Sequence, residues 1–529
     1  MKFKSASGKE FYGFIGIPYA KPPVGDLRFK PPVLNDKFPE NMDATVLTDV
    51  SIQKQTTRYP EYEVVGSEDC LYLDIFIPEL PYKNQSLKSV IFHIHGGGFR
   101  MNTGKINFIQ CPNMLIEYDI IYVNFTYRLN IFGFLNLGLE DCTGNVGLKD
   151  QVAALKWVNK YVHYFGGDAN SVCLMGSSSG GLSAHLHMMS PLSKGLFHKV
   201  IVESEDIPQI IIPTQKSVEY GFKFGNFLGY RGTDKRELLT FLKSVSAEKL
   251  CRASYDSRDV MEDSKLIMTE LFGNLVFVPS IEEIEEGAFI SDFPRNLWHR
   301  VDIVPIIYGL CEHEGALFIR NKYNANEYLN SDYIHKIIKT YISDTLSLKY
   351  EKSAKVYEEI VKFYLGKVKD DSDLFHGFLN FCSDIVLQEH YTIYNYMRKP
   401  ENDVTYHYLF TYEGERNFIK NFLRSKFPVP LKGTCHSDES EYIKNYNLLK
   451  LPPNKDDELV SRNLCYMWTN FAKTGNPNGK NLKVEWKPST MQNPCYLRID
   501  KDLILLPGIM NDERYKFWKY LLEKYSLYN

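Results

Sequence analysis

Several features that would assign other functions are missing from this chain of 529 residues. Its 62 basic residues stand against 65 acidic ones, so its electrostatics do not favour nucleic acid or an anionic membrane as a partner. No apolar window approaches the length of a membrane span, and no apolar stretch of signal-peptide length follows the basic start. The chain as written is therefore expected in the cytoplasm, with a small neutral molecule as its partner.

The ten cysteines form no CxxC pair and no Cys/His cluster at the spacing of zinc ligands. Neither a metal ion nor another cofactor is therefore expected. Some of the cysteines stand inside apolar runs, as Cys173 does, where a free thiol behaves as a small buried hydrophobic group. This usage favours a reducing compartment.

The chain does have a globular composition, with 44% hydrophobic and 14% aromatic residues. Between about residues 70 and 205, short apolar runs alternate with longer amphipathic ones, which is typical of βαβ units in a mostly parallel sheet. The predicted strands are 71–77, 89–95, 120–127, 171–175, 200–203, 304–308 and 404–411, and the main predicted helix is 148–164. We expect a single α/β catalytic domain over 1–529, with a helix-rich insertion at about 322–398.

The most informative motif is GSSSG at 176–180, which follows a predicted strand and precedes a helical run. A nucleophile on a sharp strand-to-helix turn has strained backbone angles, and glycines two positions away on either side remove Cβ atoms that would clash there. The motif therefore predicts Ser178 as a nucleophile. A Gly/Ser-rich loop without chemistry is the alternative, and the strand-turn-helix setting weakens it.

A second motif, HGGGF at 95–99, follows the predicted strand 89–95. Acyl transfer develops negative charge on a carbonyl oxygen, and fixed backbone N–H groups stabilise that charge. The predicted oxyanion-hole donors are the N–H groups of Gly97, Gly98 and Ser179. The side chain of Ser179 is expected to matter little, because only its backbone donates. A triple glycine alone is more often a tight turn.

Further motifs resemble the carboxylesterase/cholinesterase family, and most of all its insect α-esterase carboxylesterases. They are GIPYA at 16–20, PPVG at 22–25, LRF at 27–29, SEDCLYL at 67–73, YRL at 127–129, FGFL at 132–135 and GNP at 475–477. The resemblance covers nearly the whole chain and implies an α/β-hydrolase fold with serine carboxylesterase activity. It also implies two structural ion pairs, Arg28 with Glu68 and Arg128 with Asp150.

The same resemblance implies a triad acid in an EG dipeptide after a strand, and Glu314 with Gly315 matches it. Its role is to accept the Nδ1–H of the catalytic histidine and to stabilise the imidazolium. Glu312 is the nearest rival.

The triad base should follow the acid along the chain in this fold, which leaves five histidines. Four of them fall within a predicted strand or predicted helices, where a histidine is usually structural: His335, His376, His390 and His407. His436 instead lies in GTCHSDE at 433–439, a loop that resembles the family's histidine motif. The predicted triad is therefore Ser178, Glu314 and His436.

The chain departs from the family near its start. The family usually has a β-hairpin before the motif at 16–20, but only about fifteen residues precede it here. If the N-terminus is incomplete, a signal peptide would be lost with it and the protein would be secreted. The family's disulfide from Cys70 to an earlier cysteine cannot form, since no cysteine precedes Cys70.

The region where cholinesterases hold a quaternary ammonium group also differs, because residues 51–69 contain no tryptophan. An uncharged hydrophobic ester is therefore expected instead of acetylcholine. Ser177 stands where many family members have glutamate, and its lack of charge should stabilise the imidazolium less. Two alternatives to an ordinary esterase stay open: a noncatalytic adhesion or scaffold relative, and a slow-turnover enzyme that sequesters its ligand.

Overall fold

The computed structural model describes residues 1–35, 41–55, 63–104, 112–205, 210–257, 276–283, 286–297, 303–321, 325–344, 350–396, 404–424, 427–444 and 454–525. The strands in these residues are β1 Lys2–Lys4, β2 Glu10–Pro18, β3 Gln53–Gln55, β4 Glu63–Val65, β5 Tyr72–Ile77, β6 Lys88–Ile94, β7 Ile121–Phe125, β8 Asn136–Leu139, β9 Cys142–Thr143, β10 Gly167–Ser178, β11 Lys199–Glu205, β12 Ile306–Cys311, β13 Thr405–Phe410, β14 Cys495–Ile499 and β15 Leu503–Pro507. The α-helices are α1 Asn130–Phe134, α2 Val146–Tyr161, α3 Ser179–Met189, α4 Thr214–Leu228, α5 Lys235–Ser244, α6 Ala247–Asp256, α7 Pro294–Leu297, α8 Ser331–Asp344, α9 Tyr350–Leu365, α10 Asp371–Tyr396, α11 Phe418–Leu423, α12 Glu441–Lys444, α13 Lys455–Thr474 and α14 Asp512–Tyr525.

Eleven strands of the described residues form one large sheet, in the order β1-β2-β5-β7-β6-β10-β11-β12-β13-β14-β15. Neighbouring strands from β7 to β14 run parallel, and the strands at both edges pair antiparallel. The predicted α/β-hydrolase fold with a mostly parallel sheet is confirmed. Each predicted strand overlaps a strand of this sheet.

Both faces of the sheet are covered, which explains why its central strands are apolar on both sides. Along β6, Val90 and Phe92 join one core while Ile91 joins the other. Along β10, Leu174 joins the first core and Cys173 joins the second. Helix α2 packs in the first core and α13 in the second. The alternation fixes the register of both strands, and with it the point at which each strand ends.

The predicted helix 148–164 corresponds to α2 and a following 3₁₀ turn at Val162–Phe165. The turn ends at Gly166, whose φ of 79° lies in the left-handed region that favours glycine. The predicted helix-rich stretch contains α8, α9 and α10, while 322–324, 345–349 and 397–398 lie outside the described residues. Its role as an insertion into one domain stays a prediction. Across the described helices, none is long and apolar enough to cross a bilayer.

The N-terminal segment forms a hairpin before the motif at 16–20. Strands β1 and β2 pair antiparallel, with Phe3 opposite Phe11, and β2 continues the sheet by pairing with β5. The rings of Phe3, Phe11 and Phe76 pack together and fix the hairpin on the sheet. The N-terminal hairpin is therefore present, although only about fifteen residues precede the motif at 16–20.

The cysteines that the structure describes carry no disulfide bond. All of them are buried except Cys495, which is half-buried. Cys111 lies outside the described residues. Burial raises the pKa of the Cys173 thiol to about 12, so this group stays neutral and packs as an apolar side chain.

Candidate active site

The predicted site residues come together at one edge of the sheet. The loop 95–99 follows β6, Ser178 ends β10 and Glu314 follows β12. His436 lies in the loop after α11, the helix that follows β13. These strands are parallel members of one sheet, so their carboxyl ends meet at the same edge. Open α/β sheets bind ligands at this edge. The fold therefore positions residues that are far apart in the sequence around one site.

The turn at Ser178 has the strained backbone that the GSSSG motif predicts. Ser178 has a φ of 59° and a ψ of −129°, and it stands between β10 and the first residue of α3. A Cβ atom on Gly176 would lie 2.2 Å from the Gly180 carbonyl oxygen, and one on Gly180 would lie 2.1 Å from that of Ile94. Only glycine fits at either position. Ser178 is partly exposed, as a nucleophile must be.

The glycine loop after β6 packs directly against this turn. A Cβ atom on Gly96 would lie 2.5 Å from the Ser177 carbonyl oxygen and 3.0 Å from the Ser178 Cβ. Gly97 and Gly98 both have positive φ, 117° and 62°, so neither accepts a side chain without strain. The loop thus places backbone N–H groups beside the predicted nucleophile, the arrangement that an oxyanion hole requires.

Ser179 contributes more than its backbone. Its Oγ accepts a hydrogen bond from the Gly98 N–H at 2.9 Å and lies 3.4 Å from the Phe99 nitrogen, which also donates to it. The side chain thus contacts one of the three predicted oxyanion-hole donors. The expectation that it matters little for activity stays a prediction.

The predicted acid and base contact each other. Glu314 Oε2 lies 2.6 Å from His436 Nδ1, and Glu314 Oε1 accepts the backbone N–H of Cys311 at 2.6 Å. Glu314 is fully buried and His436 is 2% exposed. A carboxylate in this position selects the tautomer with the proton on Nδ1, which leaves Nε2 able to accept a proton. Glu314 and His436 thus have the geometry of a triad acid and base.

The rival acid has a different contact. Glu312 Oε2 accepts the Thr434 N–H at 3.2 Å, and the Glu312 N–H donates to Thr434 Oγ1 at 3.1 Å. The His313 N–H also donates to the Thr434 carbonyl oxygen at 3.0 Å. Glu312 therefore anchors the loop that contains His436.

The other four candidate histidines lie elsewhere in the fold. His407 is buried on β13 beside the Tyr308 ring, with 5.9 Å between ring centroids. His335 Nδ1 contacts the Tyr357 hydroxyl at 2.8 Å, and His376 Nδ1 contacts the Ser372 carbonyl oxygen at 2.8 Å. His390 is part of α10. The contacts of His335, His376 and His407 are those of structural histidines.

A pair of serine hydroxyls links the nucleophile turn to the histidine loop. Ser177 Oγ lies 2.7 Å from Ser437 Oγ, so the residues adjacent to Ser178 and His436 contact each other. Ser437 has a φ of 61°, a left-handed backbone conformation that is strained for residues other than glycine, asparagine and aspartate. Its N–H donates to Ser204 Oγ at 3.1 Å. Sequence reasoning did not identify Ser204 or Ser437, although Ser437 directly follows the predicted base.

Behind these serines lies a buried carboxyl group. Glu439 Oε1 accepts hydrogen bonds from Ser204 Oγ and the Tyr408 hydroxyl, each at 3.0 Å, and Oε2 lies 2.9 Å from the Cys311 Sγ. Burial, together with the nearby Glu203 and Glu314 carboxylates, raises the pKa of Glu439 to about 7. Local sequence motifs do not reveal the environment of this acid, because its neighbours come from distant parts of the chain.

Both predicted ion pairs are confirmed, with Arg128 and Asp150 buried in the interior and Arg28 and Glu68 partly buried. The Arg128 guanidinium donates to the two Asp150 carboxylate oxygens at 2.8 and 2.7 Å, and Asp150 is fully buried. The Arg28 Nε donates to Glu68 at 2.7 Å, and its Nη1 donates to the Val245 carbonyl oxygen at 2.7 Å. These contacts make all four residues structural.

Comparison with known proteins assigns the chain to a family. Residues 1–518 match the model of the carboxylesterase family. The chain belongs to the carboxylesterase family. This carboxylesterase is 30% identical to juvenile hormone esterase of Tribolium castaneum, over 95% of its own length and 86% of the relative. It is 28% identical to pyrethroid hydrolase Ces2e of Rattus norvegicus, over 96% and 84%.

A solved structure agrees with this assignment. The crystal structure of juvenile hormone esterase from Manduca sexta, with OTFP covalently attached, is similar with a TM-score of 0.80 and 25% identity. The similarity covers 99% of this carboxylesterase and 97% of the other chain. The chain thus has the α/β-hydrolase fold and the ester-hydrolase function of its family.

Proposed function

We propose that this carboxylesterase hydrolyses uncharged, hydrophobic carboxylic esters with Ser178 as nucleophile, His436 as base and Glu314 as acid. The observation that carries the proposal is the 2.6 Å contact between Glu314 and His436 Nδ1, at the sheet edge that also holds the strained turn of Ser178. A noncatalytic relative has no need for this combination of strain and buried charge at one edge.

Each residue has a defined step. Ser178 Oγ attacks the ester carbonyl carbon while His436 Nε2 takes its proton, and Glu314 stabilises the imidazolium that forms. The imidazolium then protonates the departing alcohol, which leaves an acyl group on Ser178. Water attacks the acyl-enzyme with the same base and releases the acid. The candidate oxyanion-hole donors are the N–H groups of Gly97, Gly98 and Ser179, of which the Gly98 N–H also donates to the Ser179 Oγ.

The substrate class rests on charge and on the relatives. Residues 51–69 contain no tryptophan for a quaternary ammonium group, and the net charge of the chain is only −3. The relatives are named for juvenile hormone and for pyrethroids. We therefore propose a role in detoxification of xenobiotic esters or in processing of lipid or hormone-like esters, inside the cytoplasm. Cell fractionation with an antibody against the chain tests the location.

Turnover of nitrophenyl esters with increasing acyl length tests the proposed activity. We expect steady hydrolysis with a burst equal to the number of active sites whenever deacylation is slow. Enzyme in which Ser178→Ala has been introduced is the control, and it should give neither burst nor turnover. A stoichiometric burst without steady turnover would favour the sequestering alternative. Absence of both in the parent protein would favour the noncatalytic alternative.

A further inference from the structure

The side chain of Ser179 accepts a hydrogen bond from one of the predicted oxyanion-hole donors. Its Oγ accepts the Gly98 N–H at 2.9 Å, inside the normal range for a hydrogen bond to a neutral oxygen. Ser179 is fully buried, so water does not replace this contact. A backbone N–H has one proton, and sharing it between two acceptors weakens both bonds.

The partners of the Ser179 hydroxyl keep its oxygen directed at Gly98. The Tyr127 hydroxyl donates its proton to the His95 carbonyl oxygen at 2.9 Å. The Phe99 N–H also donates to the Ser179 Oγ, with 3.4 Å between the two atoms. Since the phenol proton is already committed to the His95 carbonyl oxygen, the Tyr127 hydroxyl does not donate to Ser179 as well. A lone pair of its Oγ is then left to accept the Gly98 N–H.

The surrounding packing leaves this network little freedom. The rings of Tyr127 and His95 stack with centroids 4.4 Å apart, and both residues are buried. Rotation of the Ser179 hydroxyl away from the glycine loop would leave its hydrogen bonds from the Gly98 and Phe99 N–H groups unmade.

We propose that the Ser179 hydroxyl withdraws the Gly98 N–H from the oxyanion hole, so that Gly97 and Ser179 supply its working donors. This inference rests on the proposed esterase function and refines its oxyanion hole. Ser179 then acts as a positioning residue whose side chain limits the stabilisation of the tetrahedral intermediate. Its own N–H still donates to the substrate oxygen.

Removing the hydroxyl tests the proposal. Loss of an oxyanion-hole donor lowers kcat by about 10² to 10³, and restoring one that is not fully aligned should recover less. With Ser179→Ala, we expect kcat to rise about tenfold with little change in KM, because the freed donor acts mainly in the transition state. The affinity for a trifluoromethyl ketone, which forms an oxyanion on Ser178, should rise by a similar factor. A merely structural role of Ser179 would not produce this gain.

Two further variants complete the experiment. Ser183→Ala removes a buried hydroxyl of the same helix that donates to the Ser179 carbonyl oxygen at 2.8 Å, and it should leave kcat and inhibitor affinity unchanged. Ser179→Gly removes the hydroxyl without adding a methyl group, and it should reproduce the gain if the alanine variant does not fold.

The outcomes separate this inference from the function on which it rests. An active parent enzyme, with folded Ser179→Ala or Ser179→Gly variants whose kcat and inhibitor affinity are unchanged or lower, would overturn the inference alone. A parent enzyme without turnover on any ester, and variants that are equally inactive, would overturn both.

Discussion

The nucleophile side and the histidine side of the site are held in place by different forces. On the nucleophile side, Gly96, Gly176 and Gly180 allow backbone segments to approach so closely that a Cβ atom would lie within 2.5 Å of a carbonyl oxygen. Close backbone packing therefore fixes the nucleophile side, and it acts between β10, the turn at its end and the neighbouring strand β6 with its loop.

On the histidine side, hydrogen bonds between residues far apart in the sequence determine the position of His436 and its loop. Glu314 and His436 are 122 positions apart in the chain, and Ser204 and Ser437 are 233 apart. This half is also rich in buried acids, among them Glu439. From this comparison we expect the nucleophile half to tolerate changes of charge better than changes of volume. We expect the histidine half to be sensitive to changes of charge, and also to added volume at Gly315, where a Cβ atom would lie 2.4 Å from the Ser383 nitrogen.

A change of volume on the nucleophile side should have the largest effect. With Gly180→Ala, the new Cβ would lie 2.1 Å from the Ile94 carbonyl oxygen, and we expect activity to fall more than about a hundredfold. Gly181→Ala is the matched control, since its Cβ would lie 3.2 Å from the nearest atom. Initial rates, with thermal melting to check the fold, measure both. Equal losses in the two variants would contradict the steric account.

A charge placed at the junction of the two halves should alter the pH profile. Activity of the parent enzyme should rise with pH between about 5 and 8, because a protonated His436 cannot accept a proton. Ser177→Glu adds a carboxylate that favours the imidazolium, so the rising limb should move up by roughly one pH unit. Deacylation should become faster, as stopped-flow separation of burst and steady phases would show. An unmoved limb with unchanged deacylation would rule this out.

The serine pair at this junction should have a smaller effect. We expect Ser177→Ala and Ser437→Ala each to lower kcat/KM by roughly threefold to tenfold, because each removes the 2.7 Å contact between the two loops. Alanine keeps the Cβ atom of Ser437, so backbone strain is unchanged. The double variant should lose little more than either single variant, with a coupling of about 1 kcal/mol. Losses that simply multiply would show that the two hydroxyls act independently.

The smallest effect concerns the buried acid behind the site. The folded protein raises the pKa of Glu439 to about 7, so stability from its neutral form is fully present below about pH 4.3 and is lost as pH rises through about 7. Glu439→Gln cannot ionise and should preserve the acceptor for Ser204 and Tyr408. Its Tm should match the parent at pH 5 and exceed it by about 1 to 2 °C at pH 8. A Tm difference that is constant with pH would contradict the assigned titration.

The same comparison explains which parts of the site were predictable from sequence. Ser178 and its glycines follow from local sterics, so the GSSSG motif between a strand and a helix predicted the turn, and a short apolar run predicted the strand before it. His436 was chosen because it lies in a loop that resembles the family's histidine motif, whereas His407 falls within a predicted strand. Ser437, Ser204 and Glu439 were missed, because their contacts depend on the packing of three separate strand ends.

Ser179 shows the limit of reasoning from a motif. Its backbone role was predicted from its place after the nucleophile. Its side-chain contacts are with the N–H groups of Gly98 and Phe99, which lie in another loop. A motif describes what neighbouring residues make possible, and the tertiary structure decides which N–H a buried hydroxyl contacts.

Covalent labelling with a fluorophosphonate tests the central claim most directly. Mass spectrometry of the labelled parent protein should place one adduct on Ser178, and Ser178→Ala should abolish labelling while the Tm stays close to that of the parent. His436→Ala should slow labelling by several orders of magnitude, because the base is lost. Stoichiometric labelling of the Ser178→Ala protein, or an adduct on another residue of the parent, would contradict the account.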